Sequence, residues 1–292
     1  MLILAKAAMA MMLGFVLSLI CGIILIPLLK KLHIGQTVST TINERHLKKN
    51  GTPTMGGLIF ILPVLISLFF LYLRGSVEIS SNLIILVFVF VSYAILGFID
   101  DYLKVKCGNN AGLNIPIKFL IQMFIALVFF YVFMKNGGSS TLTFSFIGLE
   151  LHLGWAYGIF ILLVLVGSSN AVNITDGLDG LSAGLAAIAF LAFGIISWNT
   201  GWMDGYQDVA IFSFILVGSL IGFLVFTAIS MVYSVYFSFT DYNPIRETTK
   251  WVWFDNYIKL FEADSFLDFW QGEFGNAILN TIIFLVTIPI GM

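Results

Sequence analysis

Eight long runs of this chain contain no charged side chain: residues 9–29, 54–73, 82–99, 119–134, 155–172, 180–198, 209–240 and 274–292. Crossing about 30 Å of hydrocarbon takes roughly 20 apolar residues of helix, and most of these runs approach or exceed that length. Composition agrees, with 59% hydrophobic and 10% charged residues against roughly 25% charged in a soluble domain. A soluble enzyme, a secreted disulfide scaffold and a disordered tail are excluded. The net charge of −2 also lacks the basic surface of a nucleic-acid partner, so no nucleic acid is expected. The first run is too long, and too closely followed by others, for a cleaved signal peptide. The expected fold is an all-α polytopic membrane protein with about eight transmembrane helices and a small extracytoplasmic β-hairpin.

Basic residues set the orientation. Lys30, Lys31, Arg45, Lys48 and Lys49 follow the first run, and Lys104, Lys106 and Lys118 surround the third connection. The positive-inside rule makes both connections cytoplasmic. Alternation then places residues 74–81 and 135–154 outside, where the only bases are Arg74 and Lys135. Within the second outer link, residues 141–153 alternate with period two about Ile147-Gly148, the pattern of a hairpin. The two cysteines, Cys21 and Cys107, imply no disulfide framework. Histidines 33, 46 and 152 stand at no spacing that pairs two on one helical face as metal ligands.

Polar chemistry gathers in the inner connections. The third run ends in Gly97-Phe-Ile-Asp-Asp-Tyr-Leu-Lys104. Adjacent aspartates repel, which favours a cation between them, and hard oxygen ligands suit Mg²⁺ held jointly with substrate phosphates. A charged pair that merely ends a helix in water is the ordinary alternative. Farther on, Asn170, Asn173, Asp176 and Asp179 recur every three residues. On a helix they form one slowly drifting polar stripe, suited to gripping a hydroxylated or metal-bound ligand. In the first inner loop, Lys48 and Lys49 precede Asn50-Gly-Thr-Pro-Thr-Met-Gly-Gly57. Ammonium donors, hydroxyls and a helix starting near Thr54 would suit a phosphate; a positive-inside anchor accounts for the same lysines. Carboxylates for a metal, lysines for phosphate and an amide stripe on one membrane face together suggest phosphoryl transfer involving a lipid.

Three ordered stretches, Lys48 to Gly57, Gly97 to Lys104 and Asn170 to Leu181, resemble the phospho-N-acetylmuramoyl-pentapeptide transferases (translocase I), within the polyprenyl-phosphate hexosaminyl-1-phosphate transferases. The likeness covers residues 1–224. It implies a Mg²⁺-dependent enzyme of the bacterial cytoplasmic (inner) membrane with its active face cytoplasmic. That enzyme moves phospho-MurNAc-pentapeptide from UDP-MurNAc-pentapeptide to undecaprenyl phosphate, giving lipid I and UMP in peptidoglycan synthesis. Carried over by motif, Asp100 and Asp101 are the catalytic pair, Asp100 activating the lipid phosphate and both carboxylates, chiefly Asp101, taking the metal. Lys49, Thr54, Asn170, Asn173, Asp176 and Asp179 line the nucleotide-sugar site, and Lys104 and Lys118 hold phosphates. Membrane lipid as a partner and a homodimer are also implied.

Two pieces of the family pattern are absent from the sequence: a Phe-Met-Gly-Asp-x-Gly-Ser segment after the seventh span, whose Asp is a metal ligand, and a later loop with consecutive histidines. From residue 225, stretches such as Met231 to Asn243 and Phe274 to Thr281 resemble the start of a sugar-type ABC transporter permease. The segment from Asp241 to Asn276 carries seven acids against three bases, which marks a compositional seam. The expected organisation is therefore a transferase-like part, residues 1–224, and a permease-like fragment, residues 225–292. An ABC permease fragment or an inactive chimeric chain are the alternative readings of the whole. The seventh run, at about 48 Å as a helix, overshoots one span. A tilted helix, a bent one or a re-entrant turn near Phe226 would absorb the excess.

Overall fold

A computed structural model of the protein describes residues 2–31, 55–107, 112–144, 147–175, 180–200, 205–243 and 248–261. Lipid offers no hydrogen-bond partner to a backbone, so apolar runs of this length close their bonds internally as helices. The chain folds accordingly into α1 (Leu2–Lys31), α2 (Leu58–Leu73), α3 (Ser81–Cys107), α4 (Ile115–Lys135), β1 (Thr141–Phe144), β2 (Leu149–His152), α5 (Ala156–Thr175), α6 (Leu181–Thr200), α7 (Tyr206–Ser238), β3 (Thr240–Asn243), β4 (Thr248–Trp251) and α8 (Asp255–Phe261). Among the described residues six helices are long and apolar enough to cross a membrane: α1 and α3 to α7. The seventh apolar helix, α2, has 16 residues. The chain is thus an all-α polytopic membrane protein, as its composition requires, and the run at 274–292 lies outside the described residues.

Two boundaries differ from the sequence-based expectation, and a third narrows its alternatives. The second helix begins at Leu58 rather than near Thr54, because Met55 takes a left-handed φ of 68° that no helix accommodates. The third does not stop at its carboxylates but continues to Cys107, so Asp100 and Asp101 sit inside its last two turns. The seventh runs unbroken from Tyr206 to Ser238, with no re-entrant turn at Phe226.

The chain divides into two compact units, Met1–Thr227 and Ala228–Met292. In the first, α7 is the central helix. Every residue from 209 to 220 is buried, whereas the other membrane-length helices expose much of their apolar surface, the part lipid covers. Helix α1 lies against α7 through small residues, Gly14 and Ser18 on one side and Gly218, Ser219 and Gly222 on the other, while Ala7 and Ala10 are buried in the same core as Val64 and Ala210. A Cβ at Gly218 would meet the Met11 carbonyl, and one at Gly222 would lie 2.7 Å from Ser18 Cβ. Small residues permit such approach in lipid, where hydrophobicity drives no helix association. Ser219 Oγ donates to the Gly14 carbonyl at 3.3 Å, and Ser18 Oγ to the Ile59 carbonyl at 3.1 Å. Helix α6 packs antiparallel on α7, with Trp198 against Phe214 and Gly180 beside Thr227.

Strands β1 and β2 pair antiparallel from Thr141 opposite His152 to Phe144 opposite Leu149, the hairpin the alternation calls for. The second unit holds a hairpin with no sequence-based counterpart, β3 with β4. Asn256 Nδ2 donates to the Ser238 and Thr240 carbonyls at 2.9 and 3.0 Å, while Phe239 packs on Trp251, Phe254 and Tyr257.

Candidate active site

Adjacent residues on a helix point about 100° apart, so the two aspartates of α3 meet different surroundings. Asp100 is buried, and Asp101 is half-buried. Lys104 stands four residues after the first and three after the second, the spacings at which helical side chains meet. Its ammonium therefore serves both, at 2.6 Å from Asp100 Oδ2 and 3.2 Å from Asp101 Oδ1. A second cation comes from α4, with Lys118 Nζ at 3.8 Å from Asp100 Oδ2. The other oxygen of Asp100 accepts the Leu113 backbone N–H at 2.9 Å. Asp100 thus has both oxygens engaged by the protein, whereas Asp101 shares one lysine and is more open to a further cation.

Gly112 makes the backbone bond possible. Its φ is +57°, and a Cβ there would lie 2.6 Å from Asp100 Oδ1 and 2.9 Å from Lys104 Cε. Both the backbone conformation and the space exclude a side chain. Gly112→Ala is expected to push the Leu113 N–H off Asp100, lowering the thermal midpoint by a few degrees, the cost of one charge-assisted bond, and shifting anion affinity at Lys104 and Lys118 as Asp100 loses its anchor. Melting curves and phosphate titrations of the variant check it. An unchanged midpoint with unchanged anion affinity would mean that the α3–α4 connection does not organise the cluster.

Helix α4 carries the site to α5. Gln122, one turn beyond Lys118 and buried, donates from Nε2 to Ser169 Oγ at 3.2 Å. Its Oε1 accepts from Asn170 Nδ2 at 3.1 Å, and the same amide nitrogen donates to the Val166 carbonyl at 2.9 Å. Tyr93 on α3 reaches the Leu165 carbonyl at 3.3 Å. One end of the α3–α4–α5 group therefore holds two carboxylates, two ammoniums and a chain of amides.

Of the residues singled out from the sequence, Asp100, Asp101, Lys104 and Lys118 come together in one ion cluster. Asn170 lies on the same three helices through Gln122, and Asn173, one turn later, is exposed. Lys49, Thr54, Asp176 and Asp179 lie outside the described residues. Sequence reasoning passed over Gly112, Gln122 and Ser169. The available signal was Gln122 itself, an amide in the middle of an apolar helix four residues after a lysine.

The donor set suits a divalent ion shared with a ligand. Among the described residues no three His, Cys, Asp or Glu side chains form a cage. Of the pair, Asp101 is the carboxylate more open to such an ion, because both oxygens of Asp100 are engaged, and a hard cation that keeps few protein ligands can complete its sphere with phosphate oxygens.

A family model described as glycosyl transferase family 4 matches residues 82–233, and a phospho-N-acetylmuramoyl-pentapeptide-transferase signature matches residues 49–61. The chain is 43% identical over 219 residues to the phospho-N-acetylmuramoyl-pentapeptide-transferase of Geobacillus thermodenitrificans, covering 75% of this chain and 66% of that protein. It is 45% identical over 217 residues to the protein of the same name from Bacillus subtilis, covering 74% and 65%. The Oceanobacillus iheyensis protein is 42% identical, again over 74% of this chain and 65% of its own length. The chain thus spans just under two thirds of the length of these relatives.

Proposed function

The chain belongs to glycosyl transferase family 4, and we propose that it is built for transfer of phospho-MurNAc-pentapeptide from its UDP carrier to undecaprenyl phosphate, giving lipid I and UMP. The observation that carries this reading is the cluster of Asp100, Asp101, Lys104 and Lys118, beside an amide stripe on α5 and near one end of helices that cross the bilayer. In the reaction an acceptor phosphate oxygen forms a bond to the phosphorus that carries the sugar, and the bond from that phosphorus to UMP breaks. Such chemistry asks the protein mainly for position and charge.

Lys104 and Lys118 supply ammoniums to the phosphates, as point charges with several donors. Asp100, fixed by Lys104 and the Leu113 N–H, is the group we assign to activating the acceptor phosphate. Asp101, with Asp100 beside it, would hold Mg²⁺, which supplies neutralisation of charge on the phosphate oxygens when bound. Asn170 and Asn173, with Lys49, Thr54, Asp176 and Asp179, make up the nucleotide-sugar site. Lys30, Lys31, Lys104 and Lys106 at the ends of α1 and α3 favour a cytoplasmic active face in a bacterial inner membrane. The acceptor's polyprenyl chain lies among the membrane lipids, and a homodimer belongs to the same reading. Residues 1–224 are the transferase-like part, with residues 225–292 a permease-like addition.

The test is UMP release by the purified chain from UDP-MurNAc-pentapeptide and undecaprenyl phosphate, with Mg²⁺ and after chelation. Release that needs Mg²⁺ is expected. Monodisperse protein that neither releases UMP nor retains the nucleotide-sugar would sink the reading.

A further inference from the structure

Gln122 is buried, lies between α4 and α5, and belongs to none of the motifs from which the site was assembled. Its partners decide how a neighbouring amide is presented. The Val166 carbonyl is only an acceptor, so the atom of Asn170 that faces it at 2.9 Å must be Nδ2. The same nitrogen faces Gln122 at 3.1 Å, so Gln122 must turn Oε1 toward Asn170 and Nε2 toward Ser169 Oγ, 3.2 Å away. A backbone carbonyl thus sets the orientation of two amides in sequence, and neither can flip without placing like groups face to face. Both N–H bonds of Asn170 are consumed inside the protein. What remains is its carbonyl oxygen, an acceptor.

We propose that Gln122 is a positioning residue that locks the Asn170 carboxamide with its oxygen outward, so that this part of the site accepts only a hydrogen-bond donor, such as a sugar hydroxyl or a base N–H, or a cation. The proposal rests on the nucleotide-sugar reading above for the identity of the ligand, and on the geometry alone for the lock. Gln122 also stands one helical turn from Lys118, whose ammonium reaches Asp100. The residue therefore fixes the α5 acceptor relative to the phosphate-binding cations on the same face of α4. Without it Asn170 is held by the Val166 carbonyl alone, one of its N–H bonds is left unpaired, and the hold on its outward oxygen is weakened.

Two variants separate positioning from packing. Gln122→Met keeps the length and removes both hydrogen bonds. Gln122→Glu, neutral in such a buried place, keeps an acceptor for Asn170 and an O–H for Ser169. The first measurement needs no ligand: hydrogen exchange of the Asn170 side-chain N–H pair, followed by NMR on selectively labelled full-length chain in detergent. Slow exchange in the parent and in Gln122→Glu, with fast exchange of one proton in Gln122→Met, is expected. Equal protection in Gln122→Met overturns the lock. The second measurement is the affinity for UDP-MurNAc-pentapeptide, expected to fall about tenfold in Gln122→Met, the size of one hydrogen bond's contribution, and to recover in Gln122→Glu. Loss of exchange protection with unchanged affinity overturns the positioning role. A parent chain that shows the protection pattern yet binds no nucleotide-sugar overturns the proposed function and its ligand, while the lock itself stands.

Discussion

Gly218→Val is expected to remove the folded, solubilisable form of the protein almost entirely. Gly218 lies where α7 meets α1, and its added Cβ would fall on the Met11 carbonyl, an atom of a helix backbone that no side-chain rotation can move aside. Ordinary overpacking of a core costs roughly 1–3 kcal/mol because neighbouring side chains yield. Here the helices themselves must part, which also breaks the close contacts at Gly222 and the bond from Ser219 to the Gly14 carbonyl. In lipid these contacts are what joins α1 to α7, since apolar faces gain nothing by leaving lipid for each other. The monodisperse fraction after detergent extraction and the thermal midpoint of what remains are the measurements. Gly218→Ala should show the same loss in milder form, and Ala7→Gly, away from the crossing point, far less. Parent-like yield and midpoint in Gly218→Val would mean that α1 and α7 do not approach one another at this place.

That α7 forms the centre of its unit could not be seen in its hydropathy. A helix apolar on all sides looks alike whether protein or lipid surrounds it, so the run 209–240 stood out only for its excess length. The readable trace was spacing: Gly218 and Gly222 four residues apart with Ser219 beside them, opposite Gly14 and Ser18 on α1. The outlines of the helices were legible because absence of charge over some 20 residues has few other meanings. Period-two alternation likewise gave the β1–β2 hairpin. The β3–β4 hairpin, with strands no shorter than those of β1–β2, escaped because its segment has no clear period.

Legibility at the site followed the same division between local and distant contacts. Asp100, Asp101 and Lys104 could be grouped from spacing within one helix. The approach of Lys118, the bond from Leu113 and the link from Gln122 to α5 depend on how α3, α4 and α5 pack, which no spacing within one segment encodes. In the sequence Lys118 is singled out by likeness alone, with little local pattern behind it; in the fold its Nζ lies 3.8 Å from Asp100 Oδ2. The drift of the α5 stripe was legible too: 300° per three residues turns Asn170 toward α4 and leaves Asn173 exposed.

The two aspartates should answer differently to the same substitution. Asp101→Asn removes a charge from the more open carboxylate, which shares only Lys104, so the fold has little to lose. Its thermal midpoint should match the parent while Mg²⁺-dependent binding of the nucleotide-sugar, and any UMP release, fall by 10² or more, since a neutral amide is a poor ligand for a hard cation. Asp100→Asn should cost both. Its carboxylate is buried between Lys104 and Lys118, and an amide in its place takes the counter-charge from Lys118 and leaves Lys104 with Asp101 alone. Because both lysines still reach solvent, the loss of stability should be held to about 1–2 kcal/mol rather than the larger cost of stranding a fully buried charge. Phosphate affinity in Asp100→Asn should rise or hold, because Lys118 loses its carboxylate and must find another anion. Paired measurements of thermal midpoint, Mg²⁺-dependent nucleotide-sugar affinity and phosphate affinity distinguish the roles. Equal effects of the two variants on all three would mean that the pair acts only as the charged end of a helix, and that the metal and the acceptor phosphate are held elsewhere.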